Sequence, residues 1–169
     1  MKKAVLIAGR VLLIIAIICT LLFAFYQSAL PPAESNQVSS GVCDAIEPII
    51  PSNTPVGKKV HSNIREIAHF TEFFFLGFFT GMYCILVSTS KIGLSKIKVI
   101  FILASLGFGT ACACIDETIQ FFSARTPDIL DVLVDSAGYL FSVVLIYAVY
   151  FLVFLVLNLI LRPRNKHRN

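Results

Sequence analysis

Four stretches of this chain are too long and too apolar for a soluble fold to absorb easily. They run over about residues 5–26, 65–88, 97–122 and 131–161. A bilayer's hydrocarbon core takes about 20 helical residues to cross, and apolar runs of that length read as spanning helices. The chain is therefore read as all-α. It is a polytopic membrane protein built as a four-transmembrane-helix bundle, one domain over residues 1–169.

The charges orient this bundle. A net charge of +4 would suit nucleic acid if it were spread over a soluble surface, but its placement excludes that partner. Ten of the 14 Lys and Arg lie in three segments without a carboxylate: Lys2, Lys3 and Arg10; Lys91, Lys96 and Lys98; and Arg162, Arg164, Lys166 and Arg168. All ten carboxylates lie in or beside the other two connections. The positive-inside bias then puts both termini and the middle loop in the cytoplasm. The basic start and apolar middle of the first run also fit a signal peptide. Its removal would leave an odd number of spans with the basic loop outside, so an uncleaved helix is expected.

The external loop 27–63 carries five prolines, which break any long helix. Within it Val42, Ile46, Ile49 and Ile50 recur at roughly helical spacing, with Ser39 or Ser40 as a cap. That predicts a short amphipathic helix over 39–50, lying in the outer interface. The five cysteines make no disulfide framework and no metal-ligand spacing. No residue is singled out as a metal ligand.

Each of the last three spans carries small residues on one face, leading to polar residues at its outer end. Arg65, His69 and Glu72 share a face at i, i+4 and i+7, and Phe73, Gly77 and Gly81 continue it inward. Gly77 and Gly81 form a small-xxx-small pair that admits a neighbouring helix. In the third span Ser105, Gly109 and Ala113 step by four to Glu117, with Gln120 three residues on. Asp116 is rotated about 100° off that face. In the fourth, Asp131 and Asp135 lead to Gly138 and Ser142, while Asp128, after Pro127, suits a helix cap. The segment 123–127 is a tight outer turn carrying Arg125.

If the faces meet, Arg65, His69, Glu72, Glu117, Gln120, Arg125, Asp131 and Asp135 share one pocket, with Asp116 nearby. Acids outnumber bases there, which points to protonated carboxyls, a bound cation, or both. The plainer reading is an ion-pair network that only fixes packing.

The segments NIREIAHFTEFFFLGFF (63–79) and DETIQFFSARTPDILDVLVDSAG (116–138), with FYQSALPPAES (25–35) after the first helix, resemble the VanZ-like membrane proteins. Carried over position by position, the resemblance marks Arg65, His69, Glu72, Asp116, Glu117, Gln120, Arg125, Asp131, Asp135 and Gly138. It departs at Glu66, where a Lys often stands, and at Ala124, where a Gly often precedes the second Arg. The resemblance implies a role in the cell envelope of Gram-positive bacteria, and a link to resistance against teicoplanin-type glycopeptides.

Three functions follow. The first is binding of a polar head group, of a cell-wall lipid or a glycopeptide, at the outer leaflet. The second is acid–base or metal-assisted hydrolysis of a lipid-linked substrate by His69, Glu72, Glu117 or Asp135. Neither HExxH nor GxSxG is present to support it. The third is a scaffold. Ion transport is disfavoured because the inner halves of these helices are apolar.

Overall fold

The computed structural model describes residues 2–92, 99–126 and 128–161. They form α1 (Lys2–Ala29), α2 (Pro32–Ile46), α3 (Pro55–Ser62), α4 (Ile64–Ile92), α5 (Val99–Phe122) and α6 (Ile129–Leu161). No strand occurs among the described residues. The basic loop at 93–98, the expected start of the third span at 97, Pro127 and the basic tail 162–169 lie outside them.

Among the described residues three helices are long and apolar enough to cross a bilayer: α1, α4 and α6, over Lys3–Ala29, Ile64–Ser88 and Ile129–Ile160. Their apolar side chains largely face outward, as Leu12, Ile15, Phe151 and Leu152 do. In water this surface would be a severe aggregation liability, whereas in lipid it is the solvated face. The chain is a membrane protein by this measure.

The four long helices close into a ring. α1 packs on α4 and α5, α4 on α6, and α6 on α5, while α4 and α5 also touch across the middle. Contact between α4 and α6 is the most extensive, and glycine makes it so. A methyl at Gly77 would strike the backbone of Tyr139, and one at Gly138 would strike the carbonyl of Phe70. Each helix thus lays backbone on backbone at the other's glycine. Between them Phe73, Leu76, Cys112, Ala113, Tyr139 and Val143 form the core. The Tyr139 hydroxyl shares a 2.9 Å hydrogen bond with Ser105 Oγ, so the one polar tip in this core has a partner.

The external connection differs from expectation. The short helix runs over Pro32–Ile46 instead of 39–50. Pro31 and Pro32, read from sequence as breakers, open it. A proline is tolerated in the first turn, where its missing N–H would have no partner. Helix α3 has no counterpart among the elements expected from the sequence. Its cue is Thr54–Pro55: Thr54 Oγ1 accepts from Gly57 N at 2.9 Å, and Pro55 presets the first turn. Glu47 ties this region together, accepting from Ser52 N at 3.1 Å and Ser52 Oγ at 2.9 Å, with His61 Nε2 3.4 Å away.

Candidate functional site

The turn that joins α5 to α6 follows from its hydrogen bonds. Arg125 N donates to Gln120 O at 3.1 Å and Ala124 N to Phe121 O at 3.3 Å, the paired bonds of a Schellman ending. Such an ending needs a left-handed residue, and Ala124 takes it with φ 59°. Arg125 is thereby turned back over the bundle and left 9% exposed. Asp128 then caps α6, accepting from Leu130 N at 2.9 Å. Its own N–H donates to Glu117 Oε1 at 2.7 Å. The end of α5 is thus fastened to the start of α6.

Four helix termini converge on this turn: the end of α1, the start of α4, the end of α5 and the start of α6. At their centre stand His69, Asp116 and Asp135, all buried. His69 Nδ1 lies 3.7 Å from Asp116 Oδ2 and 3.7 Å from Asp135 Oδ1. Asp116 Oδ2 accepts from Ser28 Oγ at 2.7 Å and from Gln120 Nε2 at 3.0 Å. Among the described residues its other oxygen has no hydrogen-bond partner, nor has either oxygen of Asp135 or Nδ1 of His69.

Asp116 is the residue whose placement departs most from the spacing argument. Expected to stand off the packing face, it is 0% exposed. Three converging faces leave room for such a residue to point away. Here α1 closes a fourth side of the bundle, and the direction 100° off the Ser105–Glu117 stripe faces Ser28 on α1. Ser28 was not singled out from the sequence, although it is a buried hydroxyl in the last turn of an otherwise apolar helix.

The other candidates surround this centre. Glu117 and Gln120 are buried. Glu72 is half-buried with Oε2 unpartnered. Arg65 and Asp131 are half-buried, and Asp128, which was expected as a cap, is exposed. Among the described residues no ion pair within 4.0 Å joins Arg65 or Arg125 to a carboxylate, and Arg125 Nε is buried without a partner. Burial pulls the Arg125 guanidinium below its ordinary pKa and Arg65 pushes the same way, while Asp116, Asp131 and Glu117 oppose them.

Two cavities open onto the centre and share Arg65, His69 and Arg125. One, of about 370 Å³, presents mostly apolar surface, from Phe23, Leu30, Val38, Val42 and Ile67, with Gln27 and Glu72 among its polar lining. The other, of about 510 Å³, is polar, with Asn36, Ser62, Thr126 and Asp131 on its walls. Helix α2 roofs both: Ser35, Val38, Ser39 and Val42 line the first and Ser35, Asn36 and Ser39 the second. Nothing in the sequence reading assigned α2 to the site.

A family model described as VanZ/LLP1 matches residues 11–158, a span that holds every residue of this site. Among curated proteins and among solved structures nothing matches the chain.

Proposed function

This chain belongs to the VanZ/LLP1 family, and from that premise we propose that it is a four-span protein of the cell envelope that binds the anionic head group of a cell-wall lipid at its outer face. One observation carries the reading: an apolar and a polar cavity meet at two arginines that, among the described residues, have no carboxylate within 4.0 Å. Chain and head group of an amphiphile need those two surfaces side by side. An anion between Arg65 and Arg125 relieves their mutual repulsion. Support for α5 as the fourth span is its length, 24 residues or about 36 Å, and its packing against both α1 and α6. The basic segments put both termini in the cytoplasm and hence the site outside. Helix α2, with no buried residue of its own, then rests at the outer interface. Through its lipid the protein contributes to resistance against teicoplanin-type glycopeptides.

The test is native mass spectrometry of the detergent-purified protein with a polyprenyl phosphate, a neutral lipid of equal chain length, and a teicoplanin-type glycopeptide. Retention of the phosphate, lost in Arg65→Gln and Arg125→Gln, is the expected result. Equal retention of the neutral lipid refutes the head-group reading, and selective retention of the glycopeptide replaces the lipid as ligand. A deletion strain complemented with wild type or Arg125→Gln reports on resistance. The His69–Asp116–Asp135 centre favours a second reading, acid–base or metal-assisted hydrolysis of a bound lipid phosphate or ester. Release of phosphate or free lipid from those substrates is its signature.

A further inference from the structure

We propose that His69, Asp116 and Asp135 hold one divalent transition-metal ion of the Zn²⁺ type. The distances make the argument first. At 3.7 Å, His69 Nδ1 is too far from Asp116 Oδ2 and from Asp135 Oδ1 to hydrogen-bond with either. Two ligands on one tetrahedral ion with bonds of about 2.1 Å stand about 3.4 Å apart. All three side chains offer an atom within 4.8 Å of the others.

The second observation is what lies between them. Asp135 is 0% exposed, yet among the described residues neither of its oxygens has a hydrogen-bond partner, and His69 Nδ1 has none either. A buried carboxylate facing another carboxylate, with no donor between them, is costly. Arg65 and Arg125 are close enough to perturb the region but form no ion pair with either acid. A cation at the centre gives Asp135 and His69 Nδ1 a partner at once and offsets the facing charge of Asp116. The surroundings also suit a ligand set: Ser28 and Gln120 both donate to Asp116 Oδ2, the oxygen that faces His69, and so fix the carboxylate's direction toward the centre, the outer-shell orientation that metal ligands require.

Imidazole with two carboxylates favours Zn²⁺, with Mn²⁺ next, over the oxygen-only preference of Mg²⁺ and Ca²⁺. Three protein ligands leave a fourth position for water or an incoming ligand. The site stands whatever amphiphile fills the cavities, because the metal alone is its probe.

The experiment strips the full-length protein in detergent with a chelator, reloads it with Zn²⁺, Mn²⁺ or Mg²⁺, and counts bound metal by elemental analysis. One Zn²⁺ per chain is expected, with the visible spectrum of tetrahedral Co²⁺ when cobalt is substituted. Asp135→Asn, nearly isosteric, should lower Zn²⁺ affinity at least tenfold, and Ser28→Ala, which leaves all three ligands in place, should lower it about 10- to 100-fold. His61→Ala should leave the stoichiometry unchanged, since His61 lies in the external connection. Failure of the wild type to bind Zn²⁺ overturns the proposal and leaves a proton shared by the two acids. Full-affinity binding by Asp135→Asn overturns it equally.

Discussion

Adding one methyl group to Gly138 should loosen the bundle, whereas adding the same methyl to Gly107 should not. Built onto Gly138, a Cβ strikes the Phe70 carbonyl oxygen and lies 3.1 Å from its carbon and 3.2 Å from its Cα. Carbon contacts are favourable near 3.5–4.0 Å. The obstacle is backbone, so no side chain can rotate away, and α4 and α6 must separate by several tenths of an ångström. Overpacking of this kind costs about 1–3 kcal/mol, against about 1 kcal/mol gained by replacing Gly with Ala in a helix. At Gly107 an added Cβ meets nothing within 4 Å, so that substitution carries the gain alone. The difference between the two variants isolates the overpacking, about 1–3 kcal/mol. At roughly 2–4 °C per kcal/mol, Gly138→Ala should melt several degrees below Gly107→Ala. The buried thiol of Cys112 is a convenient reporter. With the other four cysteines replaced, a thiol-reactive dye marks the opening of the core. Equal melting temperatures, or a higher one for Gly138→Ala, would refute the backbone-on-backbone contact.

Two further predictions concern the connections. Ala124→Gly should stabilise the protein by about 0.5–1 kcal/mol, because a left-handed Ala costs roughly 1–2 kcal/mol and Gly returns about 0.5–1 of that as chain entropy. A lower melting temperature for Ala124→Gly in the same detergent would contradict the strain at φ 59°. The external connection should loosen in acid. The backbone and hydroxyl bonds from Ser52 hold Glu47 below the ordinary carboxylate value of about 4.5, so its contribution is complete above that value and fades as pH falls through the lowered one. Hydrogen exchange of the Ser52 amide, corrected for intrinsic rate, should show protection at pH 6 that weakens below pH 4 and is absent throughout in Glu47→Gln. Protection that persists unchanged into strong acid would refute the role given to the carboxylate.

What could be read in advance, and what could not, follows from the range of the signal. Helical class and the stripes of small residues are local, since a residue's face is fixed by its neighbours at three and four positions. His69 and Asp135 could be assigned an inward direction on that ground, and both are buried. Asp116 could not, because its environment is supplied by α1, 88 positions away at Ser28. No periodicity within α5 carries that information. The connection failed for a different reason. Proline has two opposite meanings, breaker in a helix interior and starter in its first turn, and Pro32 and Pro55 both have the second. A Thr or another proline just before it was the available clue. The roof that α2 lays over the cavities lay further out of reach, since it depends on how a short helix folds back across α4.

His69 stands in both proposals, and for that reason it is the poorest residue with which to test either. It lines both cavities and turns Nδ1 toward the two carboxylates. Replacing it would remove a proposed metal ligand and part of the proposed lipid-binding wall together, so a loss of function would fit either reading. Asp135 and Arg125 separate them. Asp135 lines neither cavity among the described residues and is buried at the centre. Arg125 lines both cavities and carries no acidic group to offer a metal. Loss of metal with retained lipid in Asp135→Asn, and retained metal with lost lipid in Arg125→Gln, would establish two functions meeting at one histidine. If each substitution abolished both, ion and head group would be mutually dependent. The metal's open position would then be where the head group binds.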